Sequence, residues 1–340
     1  MPAEESVDQT NVVVIGAGPV GLACAIELKR VGVAAIVLEK GALVNSLVGY
    51  PTNMQFFSTP SLLEIGGHPF PTVRYKPIRE DGIDYYRGVA VAEELDIRLG
   101  QRVRRVAGSE GMLTVETEQA SFEARHVIVA TGFFDEPVLL NVPGEELPHV
   151  THYYKEPFEY ALRDVVVIGA KNSAAKAALE CYRYGARVTM LIRGDAVSDS
   201  VKYWIKPDLE NRIAAGEITA FFNAATTSID ERFVHFDSVA ETSDEPSLAA
   251  AGTTSSHSVP ADVVLALTGY KPDYVFLEEL GITFDDDVDR TPVLSDDFET
   301  SRRGIFMAGT VCGGLNTSRW FIENGRHHAA LIAAVISERI

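Results

Sequence analysis

The sequence predicts an α/β protein made of two Rossmann-like, three-layer nucleotide-binding domains, the second inserted in the first. Three observations carry this reading. A wholly apolar run, Val12-Val13-Val14-Ile15, enters the turn Gly16-Ala17-Gly18-Pro19-Val20-Gly21, and a stretch of helical periodicity leaves it. The same order recurs at Val165-Val166-Val167-Ile168-Gly169. Two other apolar runs end in Thr-Gly, at Ala130-Thr131-Gly132 and at Leu267-Thr268-Gly269, so each unit has its own exit strand. Buried parallel strands read as unbroken apolar runs, and glycine turns feeding helices are the mark of βαβ units.

In the first unit each glycine has a separate task. Gly16 allows the sharp turn, Gly18 leaves room for a pyrophosphate against the backbone, and Gly21 lets the helix lie close on the strand. The helix N-terminus offers free N–H groups and the positive end of a dipole to phosphate. Ala34-Ala35-Ile36-Val37-Leu38 reads as a second strand ending at Glu39, whose carboxylate can accept from ribose hydroxyls. Strand, turn, helix, strand and acid together make the dinucleotide fingerprint, where the glycines alone would fit any nucleotide-free α/β turn.

Composition bounds the rest. A chain of 340 residues, 46% hydrophobic, suits two domains with a core each. A formal net charge of −18 argues against nucleic acid or an anionic membrane as partner. An anionic cofactor must then be held by local N–H groups and a few placed cations. No apolar run approaches a membrane span, and the first ten residues are acidic and polar, unlike a signal peptide. A cytoplasmic protein is expected. Cys24, Cys181 and Cys312 are scattered with no CxxC, so neither a disulfide scaffold nor a metal site is expected.

After Glu39 the loop 40–46 is turn-rich, and the stretch from Tyr50 through Phe56-Phe57 to Thr59 is too aromatic for a plain linker. It either lines the ligand or plugs into the core through Phe56 and Phe57. Residues 79–94 have helical spacing, with Ile83, Tyr86, Val89 and Ala90 on one side. Residues 101–106 read as a strand, and 113–117 with 121–124 as a hairpin. Arg102, Arg104 and Arg105 make either an anion site or the solvated face of that strand. Residues 133–148, rich in Pro, Gly and acids, read as a connector.

In the second unit Lys171 stands in place of the second fingerprint glycine and Ala174 in place of the third, where Ala is tolerated. The strand 187–193 ends in Arg193 rather than an acid. An acid suits a free ribose hydroxyl and an arginine suits a 2′-phosphate, which favours NADPH over NADH. The other reading of Arg193 is a surface arginine at a strand end. Residues 237–260 are Ser/Thr/Ala-rich and read as a long mobile hairpin tip. The chain closes with the strand 304–309, a small loop containing Cys312, and a helix expected over 320–336. His327 and His328 lie inside that helix at a spacing that does not converge on one ion, so they are expected to be packed or solvated.

The two nucleotide units, with Ala130-Thr131-Gly132, Thr268-Gly269-Tyr270-Lys271-Pro272 and the run from Gly304 to Gly309, resemble flavoproteins of the thioredoxin-reductase type. More narrowly the chain resembles the bacillithiol-disulfide reductases (YpdA-type). The residues carrying this likeness include Leu38-Glu39-Lys40-Gly41 with Val44-Asn45-Ser46, Tyr50-Pro51-Thr52 through Thr59, Leu63-Glu64-Ile65-Gly66, Val142-Pro143-Gly144-Glu145-Glu146-Leu147-Pro148, Lys171-Asn172-Ser173-Ala174 and Ile322-Glu323-Asn324-Gly325-Arg326. The chain departs from the pattern twice. Val20 stands where those reductases commonly carry a cysteine, and Thr310 where the wider class has an aspartate on the flavin ribityl chain.

The resemblance implies FAD in a split domain, 1–150 with 272–340, and NAD(P)H in the insert, 151–271. It implies NADPH-dependent reduction of FAD and then of a low-molecular-weight disulfide such as bacillithiol disulfide, with a homo-oligomer expected. The residues expected at the FAD are Gly16, Gly18, Pro19, Val20, Gly21, Glu39, Lys40, Asn45, Ser46, Tyr50, Phe57, Val103, Thr131, Gly132, Gly309, Thr310, Phe321 and Ile322. Those expected at the nicotinamide cofactor are Gly169, Lys171, Asn172, Ser173, Ala174, Arg193, Thr268 and Gly269. The N-terminus of the last helix, near Phe321 and Ile322, is expected to face the flavin. Cys312, beside Gly309-Thr310, is the candidate catalytic thiol, expected to be exposed with its pKa lowered by a nearby helix N-terminus, or else a small residue filling the loop. Two other functions fit the same framework: a flavin-dependent monooxygenase, and a non-catalytic redox-sensing flavoprotein.

Overall fold

The computed structural model describes residues 8–239 and 254–340. The chain divides into two compact units, Met1–Glu136 with Tyr270–Ile340, and Pro137–Gly269.

In the first unit, β1 (Asp8–Ile15), α1 (Pro19–Arg30) and β2 (Ala35–Glu39) form the opening βαβ, with β1 and β2 parallel. Pro19 at the first helical position starts α1 without losing a hydrogen bond. Gly32, left-handed at φ +77°, ends it. Two short helices, α2 (Asn45–Gly49) and α3 (Pro60–Leu63), and the longer α4 (Arg79–Ala92) follow. The buried side of α4 is Tyr85, Tyr86, Val89 and Ala90, and Ile83 is half-buried. β3 (Ile97–Leu99) then pairs with β2, and β4 (Val103–Ser109), β5 (Met112–Thr117) and β6 (Ser121–Val129) run as an antiparallel meander. β6 also lies parallel to β1.

In the second unit, β7 (Val150–Thr151) precedes β8 (Asp164–Ile168), α5 (Asn172–Arg183) and β9 (Arg187–Leu191). α6 (Lys206–Ala214) and β10 (Thr219–Phe221) follow. An antiparallel sheet of β11 (Ala224–Ile229), β12 (Phe233–Val239) and β13 (Thr254–Pro260) comes next, then β14 (Val263–Ala266). The main sheet is parallel throughout, in the order β10-β9-β8-β14-β7. Val165 and Val167 of β8 pack on the α5 side, while Val166 and Ile168 pack on Phe236 and Val234 of the antiparallel sheet. That alternation makes three layers and explains why β8 is apolar from Val165 to Ile168.

The chain then returns to the first unit through α7 (Tyr274–Glu279), β15 (Ile305–Met307), α8 (Ile322–Gly325) and α9 (His328–Arg339). β15 pairs with the last residues of β6, beyond the part that β5 occupies. Val12 and Val14 face Leu22, Ile26 and Ile332 of α1 and α9; Val13 and Ile15 face Val106, Val115 and Leu277. This unit, too, is three-layered.

Three expectations change. The units divide at 136/137 and 269/270, not at 150/151 and 271/272. Residues 137–149 pack onto the second unit: Leu140, Val142 and Leu147 join its core, and the Ile229 N–H donates to the Pro143 carbonyl at 2.9 Å. The closing helix starts at Ile322 because the Asn324 side chain accepts from the Phe321 N–H at 2.7 Å, capping it there. It tightens between α8 and α9, where His327 and Ala329 donate to carbonyls three residues back. The supposed hairpin tip is laddered at both ends, Asp237 opposite Ser256 and Val239 opposite Thr254. The rest of that stretch, 240–253, lies outside the described residues.

Candidate functional site

The opening turn and the exits of the parallel strands enclose a cavity of about 340 Å³ in the first unit. Gly18 borders it, and a Cβ built there would meet no atom within 4 Å. Gly21 lies behind the turn, where a Cβ would stand 1.9 Å from the Gly16 carbonyl oxygen. So Gly21 shapes the site without lining it, and Gly18 keeps one face of the backbone open to a ligand.

Glu39 ends β2 at the cavity, only 6% exposed. Its Oε2 accepts from the Ala17 N–H at 2.9 Å and its Oε1 from the Gly41 N–H at 2.8 Å. Burial is the larger influence and pushes its carboxyl pKa up; the two N–H donors hold it down. Lys40 pairs with Asp135 at 2.8 Å on the same wall. Asn45 accepts from the Ala42 N–H, and the Val44 N–H donates to the Ala17 carbonyl, which ties the loop after β2 to the glycine turn. Tyr50 stands edge-on to Phe134 at 4.8 Å, and burial pushes its hydroxyl up to about 12, so it is a neutral donor at the cavity wall.

Pro19, Val20, Ser46, Val103, Thr131, Gly132, Gly309, Thr310 and Ile322 also line the cavity. Besides Gly21, two expected residues do not. Phe57 is 44% exposed and Phe321 39% exposed, and neither borders the space. Phe56 is the residue that plugs the core, 5% exposed among the buried cluster around Leu47 and Tyr86. Of the three arginines on and before β4, Arg102 and Arg104 border the cavity and Arg105 does not; Arg104 also pairs with Glu118. Lys271, Asp273, Phe276 and Glu279 complete the wall. Local pattern gave no signal for these four, because they reach the site only when the chain returns after the insert.

Cys312 corrects the expectation of an exposed, activated thiol. It sits in the 3-10 turn Gly309–Gly313, 3% exposed, and burial raises its pKa well above an ordinary thiol's. Its Sγ lies 4.0 Å from His328 Nδ1. α8, which begins nearby in sequence, is one turn long and does not offset the loss of solvation. Cys24 and Cys181 are fully buried, each pushed up to about 12. Among the described residues no His, Cys, Asp and Glu cluster could hold a metal.

In the second unit the turn after β8 has the same geometry, with a Cβ on Gly169 meeting the Leu267 carbonyl oxygen at 2.5 Å and Ala174 at 3.1 Å. Lys171 and Ser173 are exposed at the start of α5. Asn172 is already engaged: Nδ2 donates to the Ser200 carbonyl and Oδ1 accepts from the Lys202 N–H, both at 3.0 Å. It braces the loop after β9. Arg193 is exposed just past β9, with no ion pair among the described residues. Gly269 accepts from the Val138 N–H, and Thr268 donates to the Val138 carbonyl at 2.5 Å, so this Thr-Gly exit is tied to the connector.

Two dinucleotide-type units, each with a glycine turn under a helix N-terminus, define a two-nucleotide oxidoreductase. Residues 13–309 match the pyridine nucleotide-disulphide oxidoreductase family, and the chain belongs to it. It is an oxidoreductase that works with a flavin and a nicotinamide cofactor, and the open backbone at Gly18 beside Glu39 fits a dinucleotide. The chain is 40% identical to bacilliredoxin reductase Bdr of Bacillus subtilis (strain 168) over 332 residues, 97% of this chain and 98% of that one. The solved bacillithiol disulfide reductase Bdr (YpdA) from Bacillus cereus is 40% identical and superposes with a TM-score of 0.90, covering 98% of this chain and 100% of that one. T. acidophilum thioredoxin reductase, 19% identical with a TM-score of 0.74 over 97% of this chain and 98% of its own, shares the fold. The family and fold expected from the sequence are therefore borne out. No helix among the described residues is long and apolar enough to cross a membrane.

Proposed function

We propose that this chain is an NADPH-dependent flavoprotein reductase that binds FAD in the first unit and NADPH in the second. The electron acceptor in this reading is a low-molecular-weight disulfide of the bacillithiol class. The observation that carries it is the single cavity that joins Gly18 and Glu39 to Thr310 and Ile322, beside full-length likeness to two Bdr proteins. When bound, a flavin would supply the two-electron chemistry between the nicotinamide and the acceptor.

The chain's own residues bind and orient. The free N–H groups at the start of α1 face a pyrophosphate, and the open side of Gly18 admits it. Glu39 spends one lone pair of each carboxylate oxygen on Ala17 and Gly41 and has the others left for ribose hydroxyls. Tyr50 donates from a hydroxyl that stays protonated, and Thr310 offers a hydroxyl where the wider class has an aspartate. Reduction of the disulfide takes one hydride and one proton per two thiols released. No cysteine of this chain is placed to attack it, since all three are buried with raised pKa values.

Cys312→Ser is therefore expected to leave both NADPH oxidation and disulfide reduction within about twofold of wild type. Loss of the disulfide step alone would make Cys312 the working thiol. For the nicotinamide site, Arg193→Ala is expected to raise KM for NADPH about tenfold and leave KM for NADH unchanged, the loss of one charge-assisted contact to the 2′-phosphate. An equal effect on both cofactors would make the arginine structural.

The overall reading is tested by anaerobic NADPH titration of purified protein, followed by oxidised acceptors. Bleaching of the flavin, then recovery with bacillithiol disulfide, is the expected result. The names of the two Bdr proteins differ in acceptor, so an oxidised bacilliredoxin belongs in the same panel. Recovery only with oxygen would point to a monooxygenase, and no bleaching by NADPH to a non-catalytic flavoprotein.

A further inference from the structure

The wall of the flavin cavity at Gly309 and Thr310 has no strand to hold it. β15 ends at Met307, and the last ladder bond is the Ala308 N–H to the Val129 carbonyl at 2.9 Å. Gly309 then turns the chain at φ +83°, and its N–H points away from the sheet into the interior. A buried N–H needs an acceptor. The acceptor is His328 Nδ1, 3.2 Å away, on the first residue of α9.

The imidazole is clamped. It stacks on Phe298 at 3.8 Å with an interplanar angle of 19°, and Trp320 meets it edge-on at 4.4 Å. Burial pushes its pKa down to about 4, so the ring is neutral at pH 7 and one nitrogen accepts. Nδ1 takes the Gly309 N–H and also faces Cys312 Sγ, which assigns the ring proton to Nε2. Nε2 is buried without a hydrogen-bond partner among the described residues. A phenylalanine would fill the same slot without that unpaired group, so packing alone does not account for a histidine here.

We propose that His328 is the positioning residue of the flavin wall: by accepting the Gly309 N–H, its Nδ1 fixes the Ala308–Gly309 peptide plane, from which Gly309 turns the chain to present Thr310 to the cofactor. This rests on the reading of the cavity as the flavin site. It also gives Cys312 a role, as a second weak donor on the same nitrogen rather than a nucleophile. Gly325 of α8 closes the arrangement, since a Cβ there would come within 3.2 Å of Gly309 Cα.

The test is FAD affinity, read by flavin fluorescence on apoprotein reconstituted with FAD. His328→Phe keeps the ring stack and removes the acceptor, and its Kd for FAD is expected to rise about tenfold. His328→Asn places Oδ1 near the position of Nδ1 and is expected to recover to within about threefold of wild type. A His328→Phe protein that binds FAD like wild type, or an Asn variant as weak as Phe, overturns the proposal. Should His328→Phe fail to fold, ¹⁵N spectra of histidine-labelled wild-type holoprotein decide: an Nε2–H tautomer is expected, and an Nδ1–H tautomer overturns it. Wild-type protein that takes up no FAD strikes the flavin reading instead.

Discussion

A Glu39→Ala protein is expected to bind FAD about a hundredfold more weakly than wild type. Two losses add. A carboxylate hydrogen bond to a ribose hydroxyl contributes about 1.5–3 kcal/mol. The same substitution strands the N–H groups of Ala17 and Gly41, which the carboxylate holds at 2.9 and 2.8 Å in a buried site. Those two donors hold the turn and the loop after β2 in register, so the site loosens even before ligand arrives. Glu39→Gln is no rescue, because its amide sets a donor against one of the two N–H groups. Fluorescence titration of apoprotein measures the effect. Unchanged flavin content in Glu39→Ala would remove the first unit from FAD binding altogether.

The second large effect separates folding from binding on one turn. Gly18→Val is expected to leave the melting temperature of apoprotein unchanged and to weaken FAD at least tenfold. The backbone at Gly18 is extended, at φ −74°, which any residue adopts, and the added Cβ enters open space. That space is where a pyrophosphate approaches, so the cost falls on the ligand. Gly21→Ala is the counterpart. Its Cβ would stand 1.9 Å from the Gly16 carbonyl oxygen, a backbone atom that cannot swing aside. It is expected to destabilise apoprotein by roughly 1–3 kcal/mol or more, as overpacking does. Differential scanning fluorimetry without and with FAD distinguishes the two. A Gly18→Val protein that melts early, or that binds FAD normally, contradicts the geometry.

The two βαβ openings were legible because their determinants are local. An unbroken apolar run followed by a glycine turn and a helical period has few other solutions, and β1, α1 and β2 formed where the pattern placed them. Gly18, Glu39 and Thr310 reached one cavity for the same reason: each sits at the end of an element that the pattern defines. The aromatic loop was ambiguous. Phe56 and Phe57 are adjacent, and which one turned inward depended on α2 and α4, where a Cβ on Gly82 would meet the Phe56 ring.

Sequence alone determined the fold class, the two nucleotide units and the acid at the end of β2, since these follow from residues close along the chain. Only the tertiary structure decided three other things. It drew Arg102, Lys271 and Phe276 to the cavity, because β4 and α7 meet there across the whole length of the insert. It gave residues 137–149 to the second unit, through contacts with Ile229 far along the chain. It buried Cys312 against His328, where the thiol loses the solvation a nucleophile needs. Burial and charge environment are sums over distant neighbours, and no window of sequence contains them.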